Sequence, residues 1–332
     1  MSKKVHLTVA CNTYDRIRPI IDGSVEIEGC DINFIAIPPE EAHARAFNGA
    51  DFDVTELSFS SHIVATSRGV SPYVGLPAFI SRCFRHSCIY IRTDRGISRP
   101  EDLKGKVIGV PEYQMTAAVW VRGILEDDHG VASSEVAWRT GGLNQKGRKE
   151  RMPLNLPAKF DVKPIGDHIS LSDALKKGEI DALVTAREPD CFNDGTPGIA
   201  RLFPDYRAAE EDYFARTGIF PIIHLIGLRR DLSERFPWLA RSVYKAFLRS
   251  KLIAQRNLLE MGFLHTSHPW IADDVRRAQE KMGDDLWPYG IDRNAAAIST
   301  LLRYEQEQGL VDRPLSIEEV VNTRVSDALI AI

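Results

Sequence analysis

The chain has 332 residues, 44 % hydrophobic and 27 % charged, with a net charge of −4. That length and balance fit a soluble α/β protein of one large or two medium domains. The mild acidity leaves no footprint for nucleic acid or an anionic membrane, and no apolar run approaches the roughly 18–20 residues of a membrane span. The five cysteines, Cys11, Cys30, Cys83, Cys88 and Cys191, are odd in number and scattered, which argues against a disulfide framework.

The N-terminal residues 1–12 carry two lysines and a short apolar run interrupted by His6, Thr8 and Asn12. A secretory signal needs roughly 7–15 apolar residues in a row. The segment therefore reads as a first strand at 5–11, and the protein is expected in the cytoplasm. A polar turn, Asn12-Thr13-Tyr14-Asp15-Arg16, follows. Strands are predicted at 30–37 and 52–57, with helices after Pro38-Pro39 and from Ser58. This β-α-β-α-β order predicts a mostly parallel sheet covered by helices. Ligands in such sheets bind beyond the carboxyl ends of the strands, where Tyr14, Asp15, Arg16, Glu56, Ser58 and Ser60 fall.

Residues 74–79 and 86–91 read as strands leading to a crossover. A short turn at 100–106, a β-branched strand at 107–110 and an apolar helix from Thr116 come next. A strand that ends at a helix N-terminus offers free N–H groups and a positive dipole end, a seat for a carboxylate. This phrase resembles the start of the second lobe in type II periplasmic-binding-protein folds. The glycine- and proline-containing loop at 140–161 reads as a lid or an oligomer contact. A short helix at 172–178, a strand at 180–184 and a return crossover strand at 218–228 follow. Helices are predicted at 233–261, 271–282, 293–308 and 316–321. The expected architecture is thus two-lobed, with two crossover strands and a helical C-terminal extension. Lobe one takes 1–92 and 225–332, lobe two takes 93–224, and a ligand cleft lies between them. The helical C-terminal third offers surface for a homo-oligomer.

With these pieces placed, nearly the whole chain resembles the 4,5-dihydroxyphthalate decarboxylase family. The resemblance rests on Asn12–Arg16, residues 52–58, Arg82-Cys83-Phe84-Arg85-His86-Ser87, Gly109-Val110-Pro111-Glu112-Tyr113 and Phe220-Pro221-Ile222-Ile223-His224. It implies a cytosolic enzyme on the type II binding-protein fold that converts 4,5-dihydroxyphthalate to protocatechuate and CO2. In that reaction a base shares the proton of the ring hydroxyl para to the departing carboxylate. An acid then protonates the ipso carbon, and CO2 leaves. No redox change or electron-sink cofactor is required, so no cofactor is expected. The partner is a small aromatic carboxylate, with no nucleic acid or membrane.

Such a site needs a cationic clamp and a general acid. The clamp candidates are Arg16, Arg82, Arg85 and Arg187, because guanidinium suits planar bidentate recognition of carboxylates. Proton-transfer candidates are His224 and His86, each on an expected crossover strand, with Glu56 and Asp15 as alternatives. Glu56 could also orient a histidine or pair with Arg16. Tyr14, Tyr113 and Gln114 are placed to hydrogen-bond ring hydroxyls or a carboxylate. Ser58 and Ser60 are placed to cap a helix, a role compatible with touching the ligand. His265 and His268 lack a completing carboxylate or cysteine in sequence, and no metal site is expected. A non-catalytic binding protein for a small carboxylate would share the fold and clamp without needing a proton donor. Another lyase, or an iron-dependent pyrimidine-precursor synthase, would share the fold, but no segment rich in cysteine or histidine matches the latter. A nucleophilic hydrolase is disfavoured by the absence of a G-x-S-x-G elbow.

Overall fold

The computed structural model describes residues 4–325. Residues 1–3, within the expected first segment, and 326–332, at the end of the expected first lobe, lie outside the described residues. The chain runs β1 (Val5–Cys11), α1 (Arg18–Ile21), β2 (Cys30–Ala36), α2 (Pro39–Gly49), β3 (Val54–Ser58), α3 (Phe59–Ser67) and β4 (Tyr73–Arg82). It continues through β5 (Ile89–Arg92), β6 (Val107–Val110), α4 (Thr116–His129), β7 (Ala137–Thr140), β8 (Asp161–Pro164), α5 (Leu171–Lys177) and β9 (Ala182–Val184). Next come α6 (Asp190–Asn193), β10 (Ile199–Arg201), α7 (Tyr206–Thr217) and β11 (Ile222–Arg229). The C-terminal helices are α8 (Arg230–Arg235), α9 (Leu239–Leu258), α10 (Ile271–Met282), α11 (Ala295–Glu307) and α12 (Ile317–Val320).

Two compact units emerge. The first holds the chain up to Arg82, Ile222–Ser299 and the chain from Leu315; the second holds Cys83–Pro221 and Thr300–Pro314. The breaks expected at 92/93 and 224/225 lie a little downstream of these. In the first unit the strand order is β2-β1-β3-β11-β4. Strands β1, β2 and β3 run parallel, and β11 runs antiparallel to both β3 and β4. In the second unit the order is β10-β5-β9-β6-β7-β8, with β6 parallel to β7 and β9. The parallel pairs need the helical crossovers that the alternating pattern signalled.

β7, β8, α6, β10 and α7 fall where the sequence reading placed no element, and two expected elements take another form. Residues 86–91 do not form one strand: His86–Cys88 make a 3-10 turn and the strand is Ile89–Arg92. The His86 ring leaves the pleat to pack against Phe203 and Tyr213, at centroid distances of 5.2 and 5.4 Å. The helix expected over 233–261 is two helices, α8 and α9, because Pro237 cannot continue an α-helical ladder. Among the described residues no helix is long and apolar enough to cross a membrane. All five cysteines are free thiols.

Buried histidines hold the packing. His62 on α3 bonds the Val320 carbonyl through Nε2 at 2.9 Å, and its Nδ1 lies 3.2 Å from the Ser71 hydroxyl. The histidine thereby ties α12 to α3, and a Cβ at Gly75 would sit 2.5 Å from the same carbonyl. Burial pushes the pKa values of both His62 and His86 down to about 4. The unfolded chain therefore takes up protons below its ordinary value of 6.5 that the fold refuses, so stability falls as pH drops through that window. Each histidine should cost about 2 kcal/mol between pH 7 and pH 5. Urea unfolding at the two pH values should show this loss. In His62→Gln, which keeps a donor for Val320, the loss should be close to half. An unchanged pH slope in the variant would count against this role of His62.

Candidate active site

Strand β3 is hydrogen-bonded on both sides, to β1 and β11, and all five of its residues are buried. Side chains alternate along a strand, so Glu56 and Ser58 share one face. His224 pairs with Ser58 and Ile226 pairs with Glu56. Glu56 and His224 are therefore diagonal neighbours on that face, within reach of each other. His224 Nδ1 lies 2.6 Å from Glu56 Oε1. The Tyr14 hydroxyl donates to the same oxygen at 2.7 Å, and the Asn12 backbone N–H donates to Oε2 at 3.3 Å. Both donors come from the turn after β1, which the β1–β3 pairing brings beside Glu56.

The electrostatics assign the protons. Burial alone would push the Glu56 pKa up, but the hydrogen bond and charge of His224 outweigh it, helped by Tyr14 and Asn12. The carboxyl is held below its usual range. Burial, reinforced by the Glu56 charge, holds the Tyr14 phenol far above its ordinary value. Glu56 is thus an ionised acceptor and Tyr14 a protonated donor. His224 must carry its proton on Nδ1, since a carboxylate only accepts; Nε2 is its second exchangeable position. His224 keeps 16 % side-chain exposure while Glu56 has none.

Arg16 sits beside this network. Its guanidinium carbon lies 4.2 Å from the centre of the Tyr14 ring and 4.2 Å from that of Trp287. Its Nε donates to the Ile80 carbonyl at 2.6 Å. The two rings and the carbonyl fix the guanidinium plane. Asp15 does not join the network: its half-exposed carboxylate pairs with Arg16 at 3.1 Å.

The other candidates have surroundings of their own. Arg82 is buried and donates to the Pro288 carbonyl and the Asn294 side chain; burial lowers its pKa to about 9. Ser58 occupies the N-cap position of α3 but its side chain makes no capping bond, and Ser60 is fully buried. In the second unit, His86 stands in the aromatic contact described above. Arg85 is buried against Cys88, with Nη1 3.6 Å from the sulfur. Arg187 is exposed after β9.

Tyr113 and Gln114 do lie in the turn before α4, but their side chains are buried. The Tyr113 hydroxyl meets Ser133 at 2.8 Å, and Gln114 donates to the Met152 carbonyl at 3.1 Å. A carboxylate does sit in this turn, and it is the protein's own. Glu150, from the loop at 140–161, accepts the Tyr113 N–H. Arg148 and Arg151 of the same loop clamp Glu112. The loop is thereby docked on its own unit. Burial pushes the Glu150 pKa up to about 7.

Sequence reasoning missed His43 on α2. It is 3 % exposed, and its ring meets that of His224 edge-on at 4.6 Å. It also missed Trp287 and the Asn12 N–H. A lone histidine on a helix and a tryptophan more than 270 residues from Arg16 give no local signal.

The chain is 43 % identical over 317 residues to a 4,5-dihydroxyphthalate decarboxylase of Comamonas testosteroni, covering 96 % of each chain. It is 49 % identical over 211 residues to a 4,5-dihydroxyphthalate decarboxylase of Pseudomonas putida, covering 64 % of this chain and 82 % of the other. This chain belongs to the 4,5-dihydroxyphthalate decarboxylase family. No family model matches it. Among solved structures it is similar to a putative periplasmic sulfonate-binding protein of Methylobacillus flagellatus, with TM-score 0.53, 12 % identity and coverage of 98 % and 93 %. It is also similar to a Candida albicans protein described as having the generic periplasmic binding protein fold, with TM-score 0.51, 12 % identity and coverage of 97 % of each chain. The fold is that of the periplasmic binding proteins.

The Glu56 network makes a stability prediction. Glu56→Leu strands the partly buried Tyr14 hydroxyl and the His224 N–H, and should lower the unfolding free energy by roughly 2–4 kcal/mol. Glu56→Gln keeps an acceptor and should lose less than half as much in the same urea titration. Equal losses would show that the hydrogen bonds are not what the carboxylate contributes.

Proposed function

We propose that this protein decarboxylates 4,5-dihydroxyphthalate to protocatechuate and CO2, with the Tyr14–Glu56–His224 network moving the protons. The observation that carries this reading is the 2.6 Å contact between His224 Nδ1 and Glu56, in a chain 43 % identical to a decarboxylase of that name. As a carboxy-lyase it breaks one ring-to-carboxyl bond without oxidation or reduction.

His224, oriented by Glu56, exchanges protons with the substrate through Nε2. Proton sharing by the hydroxyl para to the departing carboxylate raises electron density at the ipso carbon. A proton is delivered there, giving a non-aromatic intermediate. The ring-to-carboxyl bond breaks, its electron pair returns to the ring, and CO2 departs. One solvent proton is consumed per turnover. Arg16, held flat between two rings, is the candidate clamp for the carboxylate that stays. Burial of Glu56 supports the reading, because a charge held in low dielectric orients an imidazole strongly.

Incubating the purified protein with 4,5-dihydroxyphthalate, with and without a chelator, tests this. Protocatechuate and CO2 should form in equal amounts in both cases. His224→Ala should lower kcat by roughly 10²–10⁴-fold, the usual range for a lost acid–base group. Arg16→Ala should act mainly on KM. Thermal stabilisation by the compound without turnover would support instead a non-catalytic carboxylate-binding protein.

A further inference from the structure

His43, Glu56 and His224 come from three separate elements, α2, β3 and β11, yet one ligand atom from each lies within 4.8 Å of the others. Two imidazoles and one carboxylate form a borderline nitrogen-rich donor set that suits zinc and its first-row neighbours. Magnesium and calcium prefer all-oxygen shells. Around a zinc ion with bonds near 2.0–2.1 Å, tetrahedral ligand atoms stand about 3.3 Å apart. Reaching that spacing requires the 2.6 Å contact between Glu56 and His224 to open by less than an ångström. Helix α2, whose Ala42, His43 and Ala46 face the core, must carry the His43 ring inward. His43 and Glu56 are almost wholly buried, and His224 provides the partly exposed side by which an ion enters.

The buried environment favours such an ion. Glu56 is an ionised carboxylate with no exposure, countered by hydrogen bonds and by an imidazole. A divalent cation at this point would face a full negative charge in low dielectric, where that attraction is strongest. Three protein ligands leave a fourth position for water.

We infer that His43, Glu56 and His224 form a binding site for a divalent transition metal, zinc above all, and that the bound ion silences the proton relay. The second half rests on the proposed function and follows from atoms. In the relay, Nδ1 of His224 bears the proton that it donates to Glu56. A metal ligated by Nδ1 takes up that nitrogen's lone pair, so the Nδ1 proton must be released when Glu56 and His224 ligate through the two atoms now 2.6 Å apart. The hydrogen-bonded pair and the metal-ligated pair exclude each other.

Isothermal titration of the chelator-treated protein with zinc should show one saturable site, with no comparable binding of magnesium or calcium. X-ray absorption at the zinc edge should show nitrogen and oxygen neighbours only. A sulfur neighbour would move the ion to Cys11, whose thiol is buried close to Glu56, and would overturn the site. His43→Gln should weaken zinc binding roughly tenfold or more. Binding that ignores this substitution, or no saturable binding at all, would also overturn it.

Exclusion has its own readout, independent of turnover: zinc should abolish the downfield proton resonance of the His224–Glu56 hydrogen bond. Where the protein decarboxylates, stoichiometric zinc should suppress the rate and a chelator should restore it. Persistence of the resonance, or a rate unchanged or raised by zinc, would sink the exclusion. Zinc binding with loss of the resonance in a protein that decarboxylates nothing would leave the site standing and remove the proposed function.

Discussion

A carboxylate is buried in the middle of a sheet, and the geometry of the first unit is organised around it. Glu56 lies on a strand paired on both sides, with no exposed surface. An isolated charge there would cost several kcal/mol, more than most single contacts return. It is held because three donors converge on it from the turn after β1 and from β11: the Tyr14 hydroxyl, the Asn12 N–H and His224 Nδ1. Each donor depends on register. A slip of one residue between β3 and β11 would turn His224 to the opposite face and leave the charge short of a partner. The same requirement that stabilises the sheet aligns an imidazole, so folding and site assembly are one event here.

Much of this architecture is legible in the chain. The alternation of β-branched runs with apolar helical spacing placed the parallel strands, and the turn after β1 was marked by its polar run from Asn12 to Arg16. Glu56 reads as an acidic residue at a strand's carboxyl end, and His224 as an imidazole on an expected crossover strand. What local pattern does not carry is their mutual register, nor the approach of His43 and Trp287, which depends on packing between distant segments. Three further arginines and a second histidine are also candidates on sequence. Arg82 turns to the loop at Pro288 and Asn294, and the His86 ring packs against aromatic neighbours. The sequence motif is the same whether a cation faces a ligand or a loop carbonyl.

The second unit shows the converse economy. The turn between β6 and α4 offers the free N–H groups that a strand-to-helix junction always offers. The loop at 140–161 answers with charges of both signs: Glu150 takes the Tyr113 N–H, while Arg148 and Arg151 hold Glu112. A segment that composition marks as an irregular, basic loop is thus tied down by electrostatics that composition does not show. Its order comes from a few buried charged contacts rather than from an apolar core of its own.

The contrast between the two units bears on how the chemistry is confined. Both contain buried carboxylates, but their protons are set in opposite directions. Glu56 receives three donors, one of them an imidazole, and stays below its usual range. Glu150 receives backbone N–H groups yet feels the Glu112 charge as well as its own burial, and rises to about 7. Desolvation is common to both, so the number and charge of the partners decide the outcome. An ionised Glu56 can orient a histidine without competing for its proton. A fixed charge on the inside strand thus holds an imidazole that keeps partial exposure.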